Sequence, residues 1–281
     1  MDQHNLHFEQ SFTNHAHSGS IRAVAASSEL IASGGTDEVV RIFSGKKRTD
    51  VGTLVQQQGT ISCIDFFQDS HMFTGSEDGT ICVGDTRNWE CLKTLRGHKT
   101  AVLDISIHPS GKMLLSVSRD RTLRTWNLIK GRCAYITNLK TVAHSVFWSP
   151  NGRDFVVAVD DRLDVYNIAV GAVVSSFRFG KRISSVAFLT VSPADIRTPV
   201  LLTFMSQETA IVVGGDSEYL EIRDLSQQRS LIRFRAHDNR VKSLFSTYAR
   251  VPEAGLTWLF SVSSDCHIKL WEVSQVVHPT S

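Results

Sequence analysis

The sequence predicts an all-β fold, a β-propeller built from similar four-stranded sheets, and three observations support this prediction. Short apolar runs such as AVLDISI and MLLSVS are bounded by Gly, Pro, Asp and Ser, as strands usually are. No long window of the 281 residues shows a helical period. A pattern of polar and aromatic residues recurs about every 40 residues, which is the period of a propeller blade.

The clearest repeat spans residues 96–127, where His98, Ser116, Asp120 and Trp126 stand at fixed offsets. This is the layout of a WD40 repeat. Its four strands bring the His of a loop, a strand Ser, the Asp of a turn and a strand Trp within hydrogen-bond reach. We therefore expect these four side chains to form a structural network.

A second strong repeat spans residues 235–272, with His237, Ser261, Asp265 and Trp271. The offsets from Ser to Asp and from Asp to Trp match those of the first repeat. The offset from His to Ser is longer by about six residues, which we place in a surface hairpin, where insertions are tolerated.

The other repeats are degenerate. Three keep the Asp but not the Trp, and the fifth along the chain loses both: the pairs are Asp37 with Phe43, Asp78 with Gly84, Asp160 with Tyr166, and Ser217 with Arg223. Because Gln57 also replaces the expected His in the Asp78 repeat, we expect that blade to have lost its polar network. The chain thus has six recognisable repeats, either six blades or seven with one incomplete.

The repeats define one propeller domain, over residues 17–273. Residues 1–16 precede it and are predicted to supply a ring-closing outer strand at 6–13, and residues 274–281 are predicted to be a C-terminal remnant too short for another blade. The spacing of 57 between the anchors Tyr166 and Arg223 falls to 40 when residues 191–207 are removed. This insertion is either a long surface loop or a translated intron.

Composition limits the class of protein. An apolar content of 42% is enough for a buried core, and a net charge of +2 gives no strong electrostatic case for nucleic acid binding. The five cysteines include no CxxC pair, which indicates a reduced intracellular compartment. The sequence has neither a signal peptide nor an 18-residue apolar span, so we predict no membrane association.

The recurring His, Ser and Asp resemble the groups of a hydrolytic triad, but we expect the Ser to be buried under the Trp. A hydrolase remains a remote alternative, and we assign no catalytic residue. The sequence lacks a GxxxxGK[ST] phosphate loop, and the histidines near the N-terminus lack Cys or acidic partners at ligand spacing. We therefore predict no cofactor and no metal.

The loops that lead into the inner strands are the predicted binding surface, because propellers commonly bind proteins there. They carry a mainly basic set: Arg22, Thr100, Lys181, Arg182, Asn239, Arg240 and Lys242. For any one of these residues, a general role in keeping the surface soluble is the alternative explanation. Together they favour an acidic protein partner.

Several phrases resemble one family, the PAK-interacting (PAK-inhibitor) WD40 proteins: HAHSGSI, SEDGTICV, WECLKTL, TLRTWNLIKGR and AHDNRVKSLFS. The resemblance implies a non-catalytic, monomeric scaffold that acts in the nucleolus or nucleus, and also in the cytoplasm. Its implied partners are precursor particles and assembly factors of the large ribosomal subunit. A negative regulator of a p21-activated kinase is the alternative. Family members also carry a Lys-rich tail and sequence that completes a seventh blade.

Overall fold

The computed structural model describes residues 17–189, 210–224, 229–251 and 254–273. Within these ranges the regular structure consists of 23 strands in six antiparallel sheets, so the all-β prediction is confirmed. The predicted outer strand at 6–13, the insertion at 191–207 and the remnant at 274–281 lie outside the described residues. Among the residues described, no helix is long and apolar enough to cross a membrane.

The chain divides into two compact units, Met1–Val102 and Leu103–Ser281. The first unit contains two four-stranded sheets. The first sheet comprises β1 (Ile21–Ala26), β2 (Leu30–Gly35), β3 (Val40–Ser44) and β4 (Thr49–Leu54). The second sheet comprises β5 (Ile61–Phe67), β6 (His71–Ser76), β7 (Ile81–Asp85) and β8 (Cys91–Leu95).

The second unit contains the other four sheets. The third sheet comprises β9 (Val102–Ile107), β10 (Met113–Ser118), β11 (Thr122–Asn127) and β12 (Arg132–Asn138). The fourth comprises β13 (Ser145–Trp148), β14 (Asp154–Val159), β15 (Arg162–Asn167) and β16 (Ala172–Arg178). The fifth comprises β17 (Ile183–Leu189), β18 (Ala210–Gly215), β19 (Tyr219–Asp224) and β20 (Arg229–Arg235). The sixth comprises β21 (Val241–Val251), β22 (Ala254–Ser263) and β23 (Ile268–Val273).

Each sheet is a meander, because its strands pair in the order in which they follow along the chain. In the fifth sheet the last residue of β17, Leu189, pairs with the first residue of β18, Ala210. In the sixth sheet Val251 pairs with Ala254. The extra residues found in the sequence between His237 and Ser261 therefore lengthen both β21 and β22.

The cores lie between consecutive sheets of the same unit. In the first unit, Ile42 of the first sheet packs with Ile61 and Met72 of the second. In the second unit, Val117 of the third sheet packs with Val146 and Val157 of the fourth. Two similar clusters join the fourth sheet to the fifth and the fifth to the sixth. The six sheets correspond to the six predicted repeats, and the β-propeller fold class is confirmed.

Candidate protein-binding site

The complete four-residue network is found in the sixth sheet. His237 Nδ1 lies 2.9 Å from Asp265 Oδ2, and its Nε2 lies 2.7 Å from Ser261 Oγ. Because a carboxylate only accepts, the Nδ1–H donates to Asp265, and in the neutral ring the Ser261 hydroxyl donates to Nε2. The Trp271 indole N–H then donates to Ser261 Oγ at 2.8 Å. One chain of hydrogen bonds thus joins the turn that holds Asp265, the loop that holds His237, and the strands β22 and β23.

The carboxylate of Asp265 is the charged end of this network. Burial alone would raise its pKa, but the backbone amides of Asp238 and His267 and the ring of His237 donate to it. The pKa of Asp265 is therefore held well below its ordinary value. The turn is stabilised by an ionised carboxylate.

The first sheet contains the same network without the indole. His17 Nδ1 lies 2.9 Å from Asp37 Oδ1, and His17 Nε2 lies 2.8 Å from Ser33 Oγ. Burial opposes ionisation of Asp37, but His17 and the Ser18 amide lower the pKa of that carboxyl. Phe43 occupies the Trp position. The Ser33 hydroxyl therefore bonds to His17 without an indole donor.

In the third sheet, Trp126 Nε1 donates to Ser116 Oγ at 2.8 Å, and both residues are buried. Asp120 Oδ1 accepts from the backbone N–H and the hydroxyl of Thr122, at 2.9 Å and 2.6 Å. His98 is also buried. The residues that define the clearest repeat in the sequence therefore occupy the loop, strand and turn positions expected for them.

The expectation that the second sheet has lost its network is wrong. Gln57 is buried, and its amide donates to Thr80 O at 2.9 Å and accepts from Thr74 Oγ1 at 2.6 Å. Asp78 Oδ1 accepts from Thr80 N at 2.7 Å, and Asp78 Oδ2 accepts from Gln58 N at 3.0 Å. An amide donates and accepts at once, so Gln57 takes over the bridging role of the His.

The fourth and fifth sheets depart further from the pattern. The Asp160 side chain is 65% exposed and lies 3.3 Å from His144 Nε2, so it contacts a surface ring and is not sealed inside the blade. In the fifth sheet Arg223 occupies the Trp position, where its guanidinium lies over the rings of Phe177 and Phe179 and bonds to Glu221 at 2.6 Å. A cation–π contact replaces the hydrogen-bonded network there.

The hydrogen-bond order in the sixth sheet is the same as in a hydrolytic triad, so geometry alone does not distinguish the two. Burial does, because Ser261 is 0% exposed and its oxygen already accepts from Trp271. A nucleophilic hydroxyl must reach a substrate carbonyl. The position of Ser261 gives it a structural role.

All seven residues of the predicted binding surface are exposed. Arg22 and Thr100 belong to the first unit, and the other five to the second. Arg182, Arg240 and Lys242 line one cavity of about 350 Å³, and Lys181 lines a smaller cleft of about 40 Å³ that also touches Arg182. The Asn239 side chain accepts from the Arg240 amide at 2.7 Å, within its own loop.

The larger cavity, which we call the basic cavity, is lined by Arg182, Arg240, Lys242, His144 and Asp216, together with smaller side chains. Arg182 Nη2 lies 3.4 Å from His144 Nδ1, and Arg240 Nη1 lies 3.9 Å from Asp216 Oδ1. Among the described residues that line the cavity, three cationic side chains therefore face one carboxylate. The ion pair between Arg240 and Asp216 is long and exposed. The cavity favours an anionic group.

Sequence reasoning missed His144 and Asp216. His144 directly precedes β13, so the rule that selected loops leading into inner strands could have found it. Asp216 directly follows β18 of the fifth sheet, and only the packing of the sixth sheet against the fifth brings it near Arg240.

The class of protein is shown by a match to a known family. The model of the WD domain, G-beta repeat, matches residues 8–44, 48–85, 89–127 and 228–272, which makes the chain a WD40 repeat protein. The chain is 41% identical over 266 residues to a p21-activated protein kinase-interacting protein 1-like from Danio rerio, covering 95% of this chain and 67% of the relative. It therefore belongs to the family of p21-activated protein kinase-interacting WD40 proteins.

Two further relatives extend the comparison. The p21-activated protein kinase-interacting protein 1 of Homo sapiens is 41% identical over 264 residues, covering 94% of this chain and 62% of the relative. Protein MAK11 of Saccharomyces cerevisiae is 28% identical, covering 95% of this chain and 70% of the relative. The chain thus spans about two thirds of the length of these relatives.

Proposed function

We propose that this chain is a non-catalytic scaffold that acts in assembly of the large ribosomal subunit and binds an acidic protein segment at the basic cavity. The observation that carries the binding role is the convergence of Arg182, Arg240 and Lys242 on one cavity from separate parts of the second unit. Arg182 leads into the fifth sheet, whereas Arg240 and Lys242 flank the start of the sixth. A carboxylate-rich segment would meet cations from both sheets at once.

The ribosomal role rests on the family resemblance. The phrases TLRTWNLIKGR and AHDNRVKSLFS come from the third and sixth repeats, at residues 122–132 and 236–246, and are more specific than the WD40 pattern. The resemblance supports partners among precursor particles and assembly factors of the large subunit, and a nucleolar or nuclear location is part of the same proposal. Direct sequence-specific contact with nucleic acid forms no part of this proposal.

A second candidate function is binding to a p21-activated kinase, which the names of the Danio rerio and Homo sapiens relatives favour. The same basic cavity serves either function, because both call for a protein partner. The two functions predict different complexes in a cell.

Density-gradient sedimentation of the tagged chain in a cell lysate separates them. Ribosomal-RNA precursors and p21-activated kinase are assayed in every fraction. Migration with large-subunit precursors is the expected result. Folded protein that stays in the light fractions with the kinase contradicts the ribosomal proposal and supports the kinase candidate.

A further inference from the structure

Two cysteines of the second sheet lie next to each other on neighbouring strands. Cys82 on β7 and Cys91 on β8 place their Sγ atoms 2.7 Å apart. Neither belongs to the basic cavity or to a four-residue network. Their proximity was not anticipated from the sequence, in which they are separated by eight residues and a turn.

The blade's degenerate Trp position explains the proximity. Gly84 stands where the third sheet has Trp126, and Gly84 pairs with Cys91 across the β7–β8 ladder. A Cβ atom at Gly84 would find its nearest neighbour, Glu90 O, at 3.7 Å. Without an indole on this face, the side chain of Cys91 reaches Cys82, which lies two residues before Gly84 on the same face of the strand.

The third sheet provides an internal comparison. Its Cys133 pairs with Trp126, as Cys91 pairs with Gly84. Arg124 occupies the position of Cys82, because Arg124 pairs with Ser116 as Cys82 pairs with Thr74. Cys133 Sγ contacts Tyr135 O at 3.3 Å. The same strand position thus carries a cysteine in both blades, but only the second sheet supplies a thiol beside it.

We propose that Cys82 and Cys91 form a modification site, a dithiol that a peroxide converts to a reversible disulfide. Cys91 is exposed, so its thiolate attacks the peroxide, takes one oxygen as a sulfenic acid and releases water after protonation. The Cys82 sulfur then attacks the Cys91 sulfur and a second water leaves. Two thiols and one hydrogen peroxide thus give one disulfide and two waters.

The order of attack follows from the surroundings of the two thiols. Cys82 is 2% exposed, and burial together with the neighbouring Cys91 thiol raises its pKa far above the ordinary value. Cys82 is therefore a poor first nucleophile, whereas Cys91 is open to solvent. Once Cys91 is an uncharged sulfenic acid, a Cys91 thiolate no longer repels the negative charge that develops on the Cys82 sulfur as it attacks.

The disulfide would also change a neighbouring contact. The Cys82 thiol donates to Gln56 Oε1 at 3.1 Å, and a disulfide sulfur has no proton to donate. Gln56 directly precedes Gln57, the residue that bridges Thr74 and Thr80. Oxidation thereby acts on the loop that leads into β5.

Peptide mapping of the full-length protein tests the proposal. The reduced protein is treated with hydrogen peroxide, alkylated and digested with trypsin. Cleavage after Arg87 separates the peptide 88–93, which holds Cys91, from the peptide 49–87, which holds Cys63 and Cys82. The expected product is these two peptides joined by a bond that dithiothreitol breaks, also in a Cys63→Ser variant.

Two single substitutions complete the test. Cys91→Ser should abolish the joined peptide, and Cys133→Ser, the matched position in the third sheet, should leave its yield unchanged. Because Cys91 is exposed, its variant is expected to fold, which circular dichroism checks. The proposal is overturned if Cys82 remains alkylatable while Cys91 is overoxidised or is joined to another cysteine.

Discussion

The Trp271 indole donates a hydrogen bond to the Ser261 hydroxyl at 2.8 Å, and this contact joins β23 to β22 beneath the His237 ring. The same relationship holds between Trp126 and Ser116 in the third sheet. In both cases the serine is 0% exposed. The serine hydroxyl is therefore the central relay of the network.

Removing that relay should destabilise the protein. Ser261→Ala leaves the indole N–H and the His237 ring nitrogen without their buried partner, which costs ~1–3 kcal/mol of unfolding free energy. Chemical denaturation measures the loss. Ser243→Ala, at an exposed position of the neighbouring strand β21, serves as the control and should change stability little. Equal effects of the two substitutions would contradict the relay role.

Gln57 should be as important to its blade as a histidine is elsewhere. Gln57→Ala strands the Thr74 hydroxyl and removes the donor to Thr80 O, so we expect a loss of ~1–3 kcal/mol in unfolding free energy. Gln58→Ala is the matched control, because Gln58 is exposed and only its backbone amide contacts Asp78. If denaturation shows Gln57→Ala to be as stable as Gln58→Ala, the substitute network makes no contribution.

The pKa of Asp265 predicts an acid dependence of stability. Its folded-state pKa lies below the ordinary value of 3.8, so the unfolded chain binds the proton more readily. The stabilisation is complete above the unfolded-state pKa and is lost as the pH falls through the folded-state value. The stability difference between wild type and Asp265→Asn should therefore be constant near neutral pH and shrink below about pH 4. Denaturation at several pH values measures this stability difference. A difference that grows in acid would contradict a lowered pKa of Asp265 in the folded protein.

Burial of the serines predicts that a fluorophosphonate probe does not label the folded protein at Ser116 or Ser261. Mass spectrometry of the probe-treated protein locates any adduct. Labelling at Ser261 that His237→Ala abolishes, without loss of fold, would instead identify a nucleophile and revive the hydrolase alternative.

The sequence predicted most of the blades because each repeat has its own strand and turn signals. Residues such as Asp120 and Trp126 stand at spacings that local geometry sets. Prediction from the sequence failed at positions where the expected residue is replaced by one of different chemistry. The role of Gln57 depends on Thr74 and Thr80, which lie on other segments, and the stacking of Arg223 depends on Phe179. Such substitutions are visible only when the strands are paired.

The candidate site was also predicted only in part, because some of its contacts depend on how the sheets pack. The rule that selects loops leading into inner strands found Arg182, Arg240 and Lys242, which line one cavity. It could not show that Asp216 lies near Arg240, because that proximity depends on the packing of β21 of the sixth sheet against β17 and β18 of the fifth. Charge type was readable from the sequence, whereas the shape of the cavity was not.

The most direct test of the account is co-sedimentation with large-subunit precursors by three matched proteins. The wild type is compared with a cavity variant, Arg182→Ala/Arg240→Ala/Lys242→Ala, and with a control, Lys130→Ala/Arg132→Ala/Arg153→Ala. Both variants remove three exposed positive charges from the second unit, so non-specific charge effects cancel. The account predicts that the cavity variant leaves the precursor fractions while the wild type and the control remain there. Retention of a folded cavity variant, or equal loss of both variants, would contradict binding through the basic cavity.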